Sequence, residues 1–373
     1  MKEGNFMGGV HRRQRNFLLS LGACLCLCSL SFFYLGGFNA SSLGSEEEFL
    51  HIENKHKGAH VFGIQDTCAF LRENPFHLDW VTLVSWGFQE AFDSPSVSHG
   101  GGDSIRVLKH NEYWVDKIDM VQSYGFKVLF KPHLWIHDES SGKWRSDIFP
   151  KDDRAWEKWK ASYREFILRY AGVAEEAGAD MYCVGVEFTR LALEKPEFWR
   201  SLIREVRSTY SGKLIYAANW YHEYEHISFW EDLDYIGVQA YFPISDHLEP
   251  SIEEAERGWK NHIRSLEKVA KENQRPIIFT EMGYKSTADS AIKPWLWAED
   301  PANSNAVLSN ETQANCYQAF YNTVWDAPWF GGVHLWQLRS DYGNIKREVM
   351  LDFTPQGKLA AGIISKYNGQ EKS

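Results

Sequence analysis

Cysteine is scarce beyond the first forty residues. Only Cys68, Cys183 and Cys316 remain there, far apart and in no CxxC or CxxH pair. Zinc clusters and a disulfide framework are therefore unsupported, and a single bridge among the three stays open. Positive charge is also in deficit: 40 Lys plus Arg face 50 Asp plus Glu, a formal charge of −10 over 373 residues. A surface of that sign repels phosphate backbones, which argues against nucleic acid as a partner. A G-x-G-x-x-G turn is missing too. Gly100-Gly101-Gly102 follows no strand directly and reads as a loop, which counts against a doubly wound nucleotide-binding sheet. No H-x-H pair ends a strand, and His133 and His137 follow Pro132 and a strand rather than sharing a helix. A metal-dependent hydrolase is disfavoured accordingly, and neither metal nor cofactor is implied.

What the chain does have is aromatic surface. Sixteen Trp and 17 Tyr accompany a hydrophobic fraction of 44%, enough for a large core with flat rings to spare for stacking on sugar faces. One long apolar run stands near the start. Residues 1–16 are basic, with Arg12, Arg13 and Arg15, and precede an uncharged segment from Phe17 to Phe38. That segment is long enough to cross a bilayer, and Glu46, Glu47 and Glu48 follow it. The charge order predicts a membrane anchor or signal segment at 17–38 and an extracytoplasmic remainder. Residues 39–57 read as a polar stalk, and 58–373 as one domain.

From His60 onward a short apolar strand alternates with a helical pattern. Candidate strands are His60–Gln65, Trp80–Phe88, Lys127–His133, Met181–Glu187, Lys213–Trp220, Tyr235–Tyr241, Pro276–Glu281 and Gly331–Trp336. Between them apolar residues recur three or four apart, most clearly Ile252, Ala255, Trp259, Ile263, Leu266 and Val269, the period of a helix with one buried face. Eight strand–helix units in about 310 residues predict a (β/α)₈ TIM barrel.

Chemistry in such a barrel sits at the C-terminal ends of the strands. With period two, Met181, Cys183, Gly185 and Glu187 share the inward face of the fourth strand, and Ile277, Phe279 and Glu281 that of the seventh. A single glutamate in such a place is most often the first solvated residue of a loop; two at the tops of strands four and seven are a narrower coincidence. The other tops are polar or aromatic: Trp86 and Gln89 after strand two, Lys131 and His133 on three, Asn219 and Trp220 on five, Gln239 and Tyr241 on six, His334 and Trp336 on eight. Together they describe a cleft with aromatic walls and two carboxylates. Paired carboxylates cleave acetals, one protonating the leaving oxygen and the other attacking the anomeric carbon when the two are about 5–5.5 Å apart.

Three segments carry a resemblance: Val184-Gly185-Val186-Glu187-Phe188; the stretch from Leu214–Trp220 through Leu233-Asp234-Tyr235-Ile236-Gly237 to Tyr241-Phe242-Pro243; and Phe279-Thr280-Glu281-Met282-Gly283-Tyr284. They resemble glycoside hydrolase family 113, the β-mannanases, within the large clan of retaining barrel glycosidases. The resemblance implies that Glu187 is the acid/base and Glu281 the nucleophile. Tyr241 would then hold the nucleophile, and Trp336 would floor the subsite beside the scissile bond. Most clan members carry Asn directly before the acid/base, where it contacts the sugar 2-hydroxyl. Here that residue is Val186, and Asn219 is the candidate to replace it. Trp86, Lys131, His133, Asn219, Trp220, Tyr241 and Trp336 are thus the candidate substrate contacts.

The expected activity is retaining hydrolysis of β-1,4-mannan or glucomannan. The same chemistry on another β-linked glycan, such as glucan or a host glycan, is the second reading. A membrane-displayed sugar-binding protein without turnover is the third. Trp295 and Trp297, in the long segment after strand seven, are either added sugar platforms or loop packing.

Overall fold

The computed structural model describes residues 52, 54–65, 68–99, 104–300, 306–340 and 349–370. The basic residues 1–16, the apolar segment 17–38 and most of the stretch 39–57 lie outside them. No helix among the described residues is long and apolar enough to cross a membrane.

The elements run β1 (His56–Phe62), α1 (Ala69–Glu73), β2 (Trp80–Leu83), β3 (Trp86–Gln89), α2 (Ser104–Ser123), β4 (Lys127–Phe130), β5 (His133–Ile136), α3 (Asp153–Ala177), β6 (Met181–Val186), α4 (Thr189–Glu194), α5 (Pro196–Thr209), β7 (Lys213–Asn219), β8 (Tyr235–Gln239), α6 (Ile252–Asn273), β9 (Ile277–Met282), α7 (Asn310–Thr323), β10 (Phe330–Arg339) and α8 (Leu359–Asn368). Eight parallel strands close into a barrel in the order β1-β10-β9-β8-β7-β6-β4-β2. This is the TIM barrel that the alternation of strands and helices predicts.

Local chemistry accounts for the helix ends. α6 begins at a capping box, with the Ser251 hydroxyl accepting from Glu254 N–H and the Glu254 carboxylate accepting from Ser251 N–H. The two contacts satisfy two of the N–H groups a helix start leaves open. Its stripe then buries Ala255, Trp259, Leu266 and Val269. α3 starts at Asp152 and stops at Gly178, whose φ of 65° is the left-handed conformation glycine adopts at little cost.

Two apolar layers result. Trp80, Leu129, Met181, Cys183, Val186, Ile215, Ala217 and Ile278 fill the barrel. A larger layer between strands and helices buries Trp159, Trp199, Trp230, Trp259 and Trp329, so much of the tryptophan surplus is core. Cys68, Cys183 and Cys316 are buried free thiols.

Three details differ from the sequence expectation, and each bears on the site. β1 begins at His56 rather than His60, within the stretch read as stalk, which moves His60 toward the mouth-facing end of its strand. The second and third strands are each interrupted. Pro132 has no N–H to donate, yet Lys131 N–H reaches Leu83 O at 2.9 Å and His133 N–H reaches Ser85 O at 2.8 Å. The ladder therefore resumes as a separate β3–β5 pair with Trp86 opposite His133.

The third difference is the facing of residues. Strict alternation puts Gly185 inward, but a Cβ there would strike Trp199 and Tyr216 in the outer layer. Ile277 and Phe279 likewise pack outward, Phe279 stacking on Trp259, while Ile278 faces in. The register shifts between Cys183 and Val186 on β6, and again where Phe279 and Glu281 meet Val238 and Gln239. An extra residue at such a bulge re-aims the side chains that follow it. Glu281 reaches the cleft this way, whereas on β6 the shift turns Val186 inward and Glu187 follows it with a positive φ.

Candidate active site

Glu281, near the end of β9, is 4% exposed. Lys131, fully buried beyond the end of β4, sets its Nζ 2.7 Å from Glu281 Oε1, and also donates to Gln239 Oε1 at 2.9 Å. From the segment after β8 the Tyr241 hydroxyl donates to Glu281 Oε2 at 2.8 Å. Burial pushes the Glu281 carboxyl up, but the Lys131 ammonium and the bonds it donates outweigh that and hold the group at about 2. Charge pairing here overcomes desolvation, and Glu281 is a carboxylate at any ordinary pH. Lys131, expected to contact substrate, is committed to the carboxylate.

His60 and His133 approach the same oxygen, their Nε2 atoms 3.7 and 3.6 Å from Oε1. Burial, with the charge of Lys131 beside it, pushes both well below the usual histidine range, so both are neutral. Among the described residues, Nε2 of His60, of His133 and of Gln239 is buried without a hydrogen-bond partner. One nitrogen from each histidine and a Glu281 oxygen lie within 4.8 Å of one another, a spacing that a divalent cation can bridge. Lys131 already places a positive charge against that oxygen, so the donor set suits an ammonium–carboxylate pair better than a metal.

Glu187 follows the end of β6. Its φ is +56°, a left-handed conformation unfavourable for a residue with a side chain. Its N–H donates to Ala217 O at 2.9 Å. Its Oε2 accepts from Arg145 Nη2 at 2.7 Å and from Trp144 Nε1 at 3.2 Å. Trp144 is 40% exposed, and the Arg145 guanidinium lies 4.5 Å from its ring centre. Tyr241 senses the charge of both glutamates.

Edge-to-face rings connect the two carboxylates. Trp144 meets Trp135 at 5.7 Å, Trp135 meets Trp86 at 5.9 Å, and Trp86 meets His133 at 5.2 Å. Across the mouth Trp336, half-buried, packs edge-on against His60 at 5.0 Å. Asn219 and Trp220, at the end of β7, are also half-buried. Asn219 Oδ1 accepts from Tyr221 N–H at 3.2 Å, and Trp220 stacks on Trp295 at 5.1 Å. Neither side chain bonds Glu187 or Glu281. Trp297 packs edge-on against Phe353, which in turn meets Tyr241. Gln89 lies away from the cleft chemistry, accepting from Trp159 Nε1 and donating to Ala91 O.

Sequence reasoning missed His60, Trp135, Trp144 and Arg145. His60 was placed at the start of its strand. The other three fall in a loop and a short strand without periodicity, although a Trp-Arg pair near a strand top is a signal worth reading.

The sequence profile of glycoside hydrolase family 113 matches residues 65–358. Two solved structures resemble the fold along nearly their whole length. One is a β-mannanase of that family from Alicyclobacillus acidocaldarius, 26% identical, TM-score 0.71, covering 85% of this chain and 97% of its own. The other is a β-1,4-mannanase of the family, 25% identical, also TM-score 0.71, covering 85% of this chain and all of its own. A β-glucuronidase from Ruminococcus gnavus, 14% identical with TM-score 0.51, shares the fold alone. No curated protein matches. On its barrel, its two glutamates and this profile, the chain belongs to glycoside hydrolase family 113.

Proposed function

We propose that this protein is a retaining glycoside hydrolase that cleaves β-1,4-mannosidic linkages in mannan or glucomannan. One observation carries the reading: a single barrel mouth holds two buried carboxylates, each with one oxygen paired to a buried cation. Glu281 is pinned as an anion by Lys131 and Tyr241. Glu187 has Oε2 engaged by Arg145 and Trp144, which leaves Oε1 as the oxygen to carry and deliver a proton.

In the first step Glu281 bonds to the anomeric carbon as the bond to the leaving oxygen breaks, and Glu187 gives that oxygen its proton. In the second, water attacks the glycosyl ester, its proton passes to Glu187, and Glu281 departs as carboxylate. Lys131 and Tyr241 stabilise the departing charge. The unpartnered nitrogens of His60, His133 and Gln239 suit sugar hydroxyls, Asn219 the 2-hydroxyl, and Trp86, Trp220 and Trp336 the ring faces. The mannan specificity is supported by the family and by its mannanase relatives. We infer from the charge order around residues 17–38 that the segment anchors or exports the barrel, so that it meets extracellular polysaccharide; protease treatment of intact cells tests that placement.

The test measures reducing ends released from β-1,4-mannan and from β-glucan by the full chain in mild detergent. Release from mannan, with the product first formed as the β-anomer by NMR, is expected. Release from glucan alone overturns the substrate. An α-anomer overturns the retaining course, and tight oligosaccharide binding without cleavage of either overturns hydrolysis.

A further inference from the structure

Glu223 is a third carboxylate close to this mouth, and the mechanism above leaves it without a role. It lies in the turn after β7 and is fully buried. Three donors converge on it. The Tyr216 hydroxyl donates to Oε1 at 2.5 Å, and the Thr189 hydroxyl and the backbone N–H of Asn219 each donate to Oε2 at 2.8 Å. The Tyr216 hydroxyl in turn accepts the N–H of Phe188 at 2.9 Å. One carboxylate is thus tied to the two residues that follow Glu187 and to the top of the neighbouring strand.

We propose that Glu223 is a positioning residue for the acid/base: it clamps the turn Glu187–Thr189 to the end of β7, holding Glu187 in its left-handed backbone with Asn219 alongside. The inference rests on the reading of Glu187 as acid/base. An isolated buried carboxylate is costly, and burial, reinforced by the charge of Glu187, pushes Glu223 up to about 7 despite its three donors. An apolar side chain would fill the same volume without that penalty. What the carboxylate supplies, once ionised above about pH 7, is acceptors for Tyr216, Thr189 and Asn219 at once. With an amide in its place, one position becomes a donor and faces a Tyr216 hydroxyl that already accepts from Phe188. The link to Phe188 is then the one that loosens.

The test compares kcat/KM on two glycosides at pH 8, above the value of about 7 at which Glu223 ionises. A manno-oligosaccharide needs its leaving oxygen protonated; a 2,4-dinitrophenyl β-mannoside does not. Glu223→Gln is expected to lose about 10- to 100-fold on the first, the scale of a small misplacement of a catalytic group, and to stay near wild type on the second. Equal loss on both, or no loss on either, overturns the proposal. Should Glu223→Gln not fold, Tyr216→Phe and Thr189→Ala each remove one donor and are read the same way. A wild type that cleaves neither glycoside would sink the hydrolase reading instead. The clamp is then judged by amide hydrogen exchange at Phe188 and Asn219: faster exchange in Glu223→Gln supports it, and unchanged exchange overturns it.

Discussion

Glu281 and Glu187 close two strands of one barrel, yet they are held by different kinds of structure. Glu281 is gripped by groups at the ends of two strands, Lys131 beyond β4 across the barrel and Tyr241 beyond the adjacent β8. Glu187 is held by a loop pair, Arg145 and Trp144, and by a backbone in a conformation its residue type disfavours. In the mechanism proposed above the nucleophile must keep one charge and one position through both steps, and a scaffold serves that. The acid/base must give up a proton and take it back beside a leaving group that departs. Partners on a loop can yield where strands cannot.

The largest effects break the comparison outright. Glu281→Ala should abolish turnover, by roughly 10⁴-fold or more in kcat, while oligosaccharide binding measured calorimetrically persists. Glu187→Ala should be nearly as severe on oligosaccharides and much milder on a dinitrophenyl glycoside, which needs no proton. Wild-type rates in either variant would remove that residue from the mechanism.

Lys131→Met sharpens the comparison at the nucleophile. It deletes the charge that holds Glu281 at about 2, so the carboxyl rises and protonation begins to compete with attack at mildly acid pH. We expect kcat to fall about 100-fold and the acidic limb of the pH–rate profile to move to higher pH. An unmoved limb would mean that Lys131 does not set the state of Glu281. Trp144→Ala, on the loop side, should cost about tenfold, mostly on substrates with a sugar as leaving group. A loss comparable to Lys131→Met would show the loop to be as rigid as the strands.

The same contrast explains what the sequence could disclose. The barrel was legible because strand and helix periods are local properties of the chain. So were the two glutamates, as acidic residues ending apolar runs. Their facing was not. Period two assigned Ile277 and Phe279 to the barrel interior together with Glu281, whereas those two pack outward and a bulge after Phe279 turns Glu281 inward. A bulge is a relation between two strands and leaves no mark on one. Arg145 and Glu223 were illegible for a related reason: each sits in a short irregular segment and acquires its role from a partner 42 or 7 residues away.

The smallest effect concerns stability, and it sets two buried carboxylates against each other. Glu281 titrates at about 2 in the fold against an ordinary value of 4.5. Its contribution is therefore fully present above about pH 4.5 and is lost as pH falls through 2, an amount of about 3 kcal/mol. Glu223, raised to about 7, behaves oppositely: the folded state holds its proton more tightly, so its contribution is present below about 4.5 and is lost as pH rises through 7. Calorimetric Tm values across this range should then diverge by a few degrees, the scale such energies produce in a domain of this size. Against wild type, Glu281→Gln should flatten the acid side of the curve and Glu223→Gln the neutral side. If both variants instead run parallel to wild type throughout, neither carboxylate differs between folded and unfolded chains. The account of Lys131 as the group that fixes the nucleophile's charge would then fail with it.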